Sequence, residues 1–416
     1  MPDDPRPLLR RPEFRFLLGA RLTYAVAASA LATVVAFQTY DLTHDPLSLG
    51  WLGLAEGIPA LALALFGGHV ADRRDRRSIV LLSGITVTIC AALLGLLALT
   101  GAFGLLGILV VIAITGIASG FERPALSAFE AQIIPRAEAV RGASYASSVS
   151  QAGVIGGPAI GGLAVAIIGM PETYAAITVL LVASTICVAF IARKPMPARS
   201  DDGESMIQSV LAGVRFVRRS PVLLGSMSLD LFAVFFGGAI ALLPIFATDI
   251  LHVGPAGLGL LRTAPSIGAL AVMLVATRRP PSRTAGPMLL VCVAGFGVSM
   301  LVFGLSTTFW LSMVALFFSG VTDGVSMIIR SAIGRIFTPD SLRGRVSSVN
   351  WVFIGASNEL GAFESGFVAR LIGAVPSVIA GALVTLGVVG LVAAAVPELR
   401  RLNLDRASPV EAEAGA

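Results

Sequence analysis

The sequence predicts an all-α membrane protein, with twelve transmembrane helices arranged as two pseudo-symmetric six-helix halves. Three observations predict it: an apolar composition, a one-sided distribution of arginine, and an internal repeat. Of 416 residues, 56% are hydrophobic and only 13% are charged, against about 25% charged in a typical soluble domain. The mean hydropathy is +0.87. A soluble core cannot hide that much apolar surface, so the solvent is a bilayer. The same figures exclude disorder, which needs low hydrophobicity and high charge.

Hydropathy places the spans in order. A polar, Pro-rich start, Met1 to Glu13, precedes an apolar run at 14–40 with no small-residue cleavage site, so that run is read as a retained first span and not a signal peptide. Spans follow at 47–71, 78–100, 104–134, 140–168 and 172–193. Residues 1–195 thus form one half. A polar linker, 196–220, carries Pro197 and Asp201-Asp202. Its second part, Ser205 to Arg219, sets Ile207, Val210, Leu211, Val214 and Val217 on one helical face, the pattern of an amphipathic helix on a membrane surface. The second half, 221–416, holds spans at 221–250, 256–279, 285–307, 309–337, 344–373 and 376–397, then a tail.

With the N-terminus in the cytoplasm, the inside segments collect 24 of the 30 Lys and Arg residues. The other six, Arg15, Arg21, Arg123, Arg262, Arg330 and Arg370, lie within spans, and the outside loops hold none. That asymmetry predicts both termini in the cytoplasm. It also explains the pI of 9.6 without a nucleic-acid partner. Gly53 to Pro59 in span 2 resembles Gly259 to Pro265 in span 8, offset by 206. Val70-Ala71-Asp72-Arg73-Arg74 is echoed by Val275-Ala276-Thr277-Arg278-Arg279, and Pro135 to Gly142 by Pro339 to Gly344. Parallel repeats of this kind are a transporter signature.

Two motifs are specific. After span 2 comes Gly68-His69-Val70-Ala71-Asp72-Arg73-Arg74-Asp75-Arg76-Arg77. Gly68 is expected to allow close helix approach, Asp72 to face the N-terminus of a neighbouring helix, near Gly344 to Ser347, and Arg73, Arg76 and Arg77 to line the short loop. Glu130, near the inner end of span 4, is expected to pair with Arg76. In span 5, Gly153-Val154-Ile155-Gly156-Gly157-Pro158-Ala159-Ile160-Gly161-Gly162 sets glycines at helical spacing for close packing, with Pro158 kinking the span. The first motif resembles the loop 2–3 signature of the major facilitator superfamily, with Asp75 where that family usually has Gly. The second resembles the Gly-Pro-x-x-Gly-Gly motif of its antiporting exporters. Phe14-Arg15, Ala20-Arg21, Thr338 to Val346 and Gly355 to Gly361 extend the similarity to the branch that includes siderophore exporters and drug efflux proteins. The resemblance implies a bacterial inner-membrane secondary exporter of amphipathic small molecules, working as a monomer by alternating access. An importer or facilitator of a nutrient is the rival on the same fold.

Charges at bilayer depth cost about 2.5–3.5 kcal/mol each on insertion scales and need partners or a wet cavity. Glu56 and Asp230 fall near the midplane, Arg21 and Arg262 slightly short of it, Asp323 and Glu359 slightly beyond it. Glu122-Arg123 sits mid-span and Arg330 near the inner edge. If spans 1, 4, 7 and 10 line a cavity, as the resemblance implies, Arg21, Arg123, Asp230 and Asp323 are its candidates; structural ion pairs are the alternative. Asp230, then Glu56, then Asp323 rank as proton-coupling candidates. Protons, a small-molecule substrate and the lipid bilayer are the expected partners. No cofactor or metal is expected: Lys194, the sole lysine, precedes Pro195 and lacks a phosphate-binding glycine loop, and His44, His69 and His252 are scattered. Cys90, Cys187 and Cys292 are too dispersed for a disulfide framework. No hydrolase triad appears, so an enzyme is not expected.

Overall fold

A computed structural model describes residues 7–101, 104–195, 206–276, 284–339 and 342–404. Among them there is no strand. The helices are α1 (Pro12–Thr43), α2 (Pro46–Arg73), α3 (Arg76–Thr100), α4 (Leu105–Ile133), α5 (Ala139–Ile168), α6 (Met170–Ala189), α7 (Met206–Arg219) and α8 (Pro221–Phe236). They continue with α9 (Leu243–Ile245), α10 (Gly254–Ala276), α11 (Ala285–Leu305), α12 (Phe309–Ile336), α13 (Arg343–Ile372), α14 (Ala374–Ala395) and α15 (Pro397–Arg400). Local chemistry sets the ends. Pro12, Pro46 and Pro221 open helices, where a missing N–H costs nothing. Gly101 closes α3 at φ 61°, a left-handed conformation that glycine adopts freely.

Ten helices among the described residues are long and apolar enough to cross a membrane. An eleventh counts if the end of α7 and α8, bent by 106°, are taken as one span. α13 has 30 residues but carries Arg343, Arg345, Glu359, Glu364 and Arg370, which lower its hydropathy. The burial pattern is that of a membrane protein. On α3, Val80, Val87, Cys90, Ala91, Leu94 and Leu97 are buried, while Leu82, Ile85, Ile89, Leu93, Leu96 and Leu99 form an exposed apolar stripe at helical spacing. All three cysteines are free.

One departure from expectation is physical. Span 7 is not one helix: α8 ends at Phe236, a 3-10 turn (Gly238–Ile240) follows, and α9 leads into a π-helical stretch, Phe246–Ile250. Gly237-Gly238 weakens the helix and Pro244 cannot donate to the preceding turn. α7 is amphipathic, and part of it packs on α13. Gly213 and Val217 are buried, with Gly213 against the Arg345 carbonyl of α13, while Leu211 is exposed. The side chains of Ile207 and Val210 lie outside the described residues.

The chain divides into two compact units, 1–200 with 252–263, and 201–251 with 264–416. In the first, α2 and α4 meet backbone to backbone. A Cβ at Gly116 would strike the Glu56 carbonyl, and one at Gly67 the Gly120 carbonyl. Tyr174, fully buried, donates its hydroxyl to Gln38 Oε1 at 2.5 Å and anchors a core with Leu94, Ile108 and Leu181. In the second unit α10 and α12 meet in the same way, through Gly268 at the Phe317 carbonyl and Gly320 at the Pro265 carbonyl. Leu223, Leu229, Leu289, Ile329 and Leu399 fill its core.

The glycine motif of α5 has two working faces. Gly153, Gly157 and Gly161 press on α1 at Ala25, Ser29 and Ala30, whereas Gly162 meets Pro255 and Gly259 at the start of α10. The helix runs unbroken through Pro158. A Cβ at Gly157 would lie 2.7 Å from Ser29 Cβ and from the Val26 carbonyl oxygen, neither of which can swing away. Gly157→Val should therefore cost on the order of 1–3 kcal/mol by overpacking, seen as a lower melting temperature of the purified protein. Gly156→Ala should be tolerated, since its Cβ would meet only Ile160 of its own helix at 3.7 Å. Equal melting of the two variants would refute this division of faces.

Candidate functional site

Each unit carries charged side chains in the middle of its spanning helices, and in each the first helix is tied to the fourth. In the first unit, Arg21 on α1 pairs through Nε with Glu130 on α4. One turn further along α1, Tyr24 donates its hydroxyl to Glu122 Oε2 at 2.6 Å. Glu122 is 5% exposed, and that phenol is its sole hydrogen-bond partner among the described residues. Arg21, Tyr24 and Glu122 line a small cavity between α1, α3, α4 and α6, with Leu17, Leu126, Ser184 and Thr185. A carboxylic acid facing a phenol can donate or accept, so this bond survives in either protonation state of the acid.

In the second unit, Asp230 on α8 pairs with Arg330 on α12. Arg330 also lies 3.5 Å from Asp323, one face along the same helix. Asp230 and Arg330 side chains are 12% and 15% exposed, Asp323 51%. The cation sits between two carboxylates, only one of which is out of water. Sign is reversed between the units: arginine comes from the first helix in one and from the fourth in the other.

Glu56 on α2 takes a third position. It stands within electrostatic range of Arg123 on α4 and of Arg262 on α10. Arg262 donates to the Ala32 carbonyl on α1 at 2.9 Å.

The sequence-predicted residues therefore fall into three groups: Arg21 with Glu130; Arg123 with Glu56; Asp230 with Asp323. The expected Arg76–Glu130 pair is not formed. Arg76 donates to the carbonyls of Ala71 and Ala128, and Arg77 to that of Ala189, so both arginines sit on the C-terminal ends of α2, α4 and α6, where a cation is favoured. Asp75 accepts from the Arg77 amide and from the Ser78 hydroxyl at 2.7 Å, which makes it the N-cap of α3. Gly68 has open space where a Cβ would be; Gly67, turned toward α4, is the close-approach glycine. Arg73 is exposed. The side chain of Asp72 and residues Thr277, Arg278 and Arg279 lie outside the described residues, as do Asp340 and Ser341.

Sequence reasoning missed Tyr24, and it noted Glu122 for depth only, favouring Arg123 beside it. The available signal was that Arg21 and Tyr24 are three residues apart and so share a helix side. Arg330 was assigned to the inner edge, although its long side chain reaches back to Asp230.

Comparison with known proteins gives these arrangements a frame. The chain is 29% identical over 414 residues to the multidrug efflux pump Tap of Mycolicibacterium fortuitum, covering 95% of this chain and 98% of the relative. It is 26% identical over 349 residues to the enterobactin exporter EntS of Citrobacter koseri, covering 82% of each. A crystal structure of a POT family transporter in complex with 5-aminolevulinic acid superposes with a TM-score of 0.72 at 12% identity, covering 93% of this chain and 96% of that one. Such a likeness shows the fold alone. The sequence profile of the Major Facilitator Superfamily matches residues 17–362. The protein is thus a multi-pass membrane transporter and not an enzyme, and it belongs to the Major Facilitator Superfamily.

Proposed function

We propose that this chain is a secondary exporter of amphipathic small molecules, of drug or siderophore class, that exchanges cargo for protons by alternating access. The observation that carries export is the near end-to-end similarity to one relative named a multidrug efflux pump and to another named an enterobactin exporter. Both termini face the cytoplasm of a bacterial inner membrane, as the arginine distribution supports. Two six-helix halves, 1–195 and 221–416, rock about a midplane site as a monomer.

The proton-coupling role falls to a carboxylate that can be held either neutral or charged. Asp230 has a guanidinium in direct contact, which offsets its charge. Glu122 is buried, with a phenol as its direct partner. Glu122 is therefore placed ahead of Asp230, Glu56 and Asp323. Protonation of Glu122 from one side of the membrane and release to the other would be sensed by Arg21 and Arg123, which lie within its electrostatic range.

Inside-out membrane vesicles, energised to be acidic within, test the direction. Offered enterobactin and a panel of amphipathic dyes, vesicles containing the protein should accumulate at least one of them and dissipate the pH gradient as they do so. An importer or facilitator would equilibrate its cargo without accumulating it, and that result would reject export.

A further inference from the structure

Several polar groups of the first unit have bonding capacity left over, and all of them face one cavity. Glu122 accepts from Tyr24 through Oε2, while its Oε1 has no hydrogen-bond partner among the described residues. Arg21 uses Nε on Glu130, and its two Nη groups bond nothing among the described residues. Ser184 donates to the Ala20 carbonyl of α1, and Thr185 to the Leu181 carbonyl of its own helix. Both hydroxyl oxygens can still accept. These five side chains line the cavity between α1, α3, α4 and α6. Cavities that stay dry are apolar, whereas a buried water needs a few polar partners. At about 30 Å³ this cavity has room for about two waters, at roughly 10–15 Å³ each.

The cavity sits toward one end of all four helices. Leu17 is in the second turn of α1, Val80 in the second turn of α3, Leu126 two turns before the end of α4, and Val188 in the last turn of α6. Loop 2–3 with its arginines leaves from the same end. Phe14, Phe129 and Ile191 each lie three residues nearer that end than Leu17, Leu126 and Val188. They are buried with Leu17, Val80 and Val188 in one apolar cluster. A polar chamber is thus capped by an apolar plug.

We propose that this cavity is the water chamber through which Glu122 releases its proton to the cytoplasm, a route enclosed within the first six-helix half and separate from the cargo path between the halves. It rests on the reading that Glu122 carries the proton. The carboxyl O–H breaks as a chamber water takes the proton, and the hydronium leaves when the plug loosens. The second water and the Arg21 Nη groups solvate the carboxylate left behind, and the Arg21 cation repels the hydronium. The other charged or titratable groups near Glu122 are Tyr24 and Arg123, with Glu56 of α2 in electrostatic range of both. From α3 and α6 the cavity receives Val80, Gly84, Val188 and the two hydroxyls.

X-ray radiolysis turns water into hydroxyl radicals and labels side chains beside buried water. In the full chain in phosphatidylcholine nanodiscs, Leu17 and Val188 should label about tenfold faster than Leu94 and Leu181, which are buried in the neighbouring apolar core. Equal labelling overturns the proposal. Gly84→Val fills the cavity, since a Cβ there would lie 3.0 Å from Thr185 Oγ1. With its melting temperature unchanged, this variant should lose the labelling of Leu17 and Val188. Gradient-driven accumulation should fall about tenfold while cargo exchange continues. A folded variant that keeps the labelling, or that loses it and accumulates like the wild type, overturns the route. If Gly84→Val does not fold, Thr185→Val removes one acceptor at nearly constant shape and should slow accumulation severalfold; an unchanged rate counts against the chamber. Labelled Leu17 and Val188 with Glu122→Gln fully coupled would sink the choice of carrier and leave a structural water site. Unlabelled residues with Glu122→Gln uncoupled would sink the chamber alone.

Discussion

Glu122→Gln is expected to uncouple transport from the proton gradient. Accumulation of cargo by energised inside-out vesicles should fall to the level of vesicles lacking the protein, while exchange of labelled for unlabelled cargo continues, because exchange needs no net proton movement. The substitution is close to isosteric. The amide oxygen can still accept from Tyr24, so the α1–α4 contact is kept and only the titration is lost. Tyr24→Phe is the complementary variant. It leaves the buried carboxylate without its hydrogen bond, a loss on the order of 1–3 kcal/mol, and should lower both stability and coupling. Asp230→Asn separates Glu122 from the candidate that sequence depth favours. If Asp230 carried the proton, Asp230→Asn would show the uncoupled behaviour and Glu122→Gln would not.

Arg330→Met is expected to be the most destabilising single change in the second unit. It removes the cation that Asp230 and Asp323 share. Asp323 can turn to solvent; Asp230, 12% exposed, cannot. An uncompensated buried charge of this kind costs on the order of 3–5 kcal/mol. The purified variant should melt well below the wild type. Arg330→Met combined with Asp230→Leu should recover most of the loss, because replacing both partners of a buried pair by apolar groups is close to neutral. A single variant that melts with the wild type would show that the pair contributes nothing. A double variant no better than the single would locate the damage in packing instead.

Much of the helical framework is legible in the sequence because a bilayer makes hydropathy nearly sufficient. α1 through α6 begin and end within a few residues of the expected spans, and so do α10 to α14. Proline at the first position and glycine just past the last supply the edges. Span 7 defeats the same reading, since Gly237, Gly238 and Pro244 break the backbone without interrupting the apolar run. The charged cluster was legible in its members but not in its pairing. Depth along a span can be counted from sequence, whereas the partner of Glu130 is 109 residues away on α1, and which side of α4 it shares with Arg21 depends on how those helices pack. Arg76 is not the partner of Glu130: it donates to carbonyls in the last turns of α2 and α4.

The central claim is that cargo and protons cross in opposite directions. Proteoliposomes holding a trapped pH-sensitive dye test it without any imposed pH gradient. A cargo that wild-type vesicles accumulate is supplied on one side only, with the membrane potential clamped. The account predicts that cargo flowing into the lumen drives protons out, so that the lumen turns alkaline, and that Glu122→Gln abolishes this change. A lumen whose pH stays constant while cargo enters, or one that turns acidic because protons travel with the cargo, would contradict it.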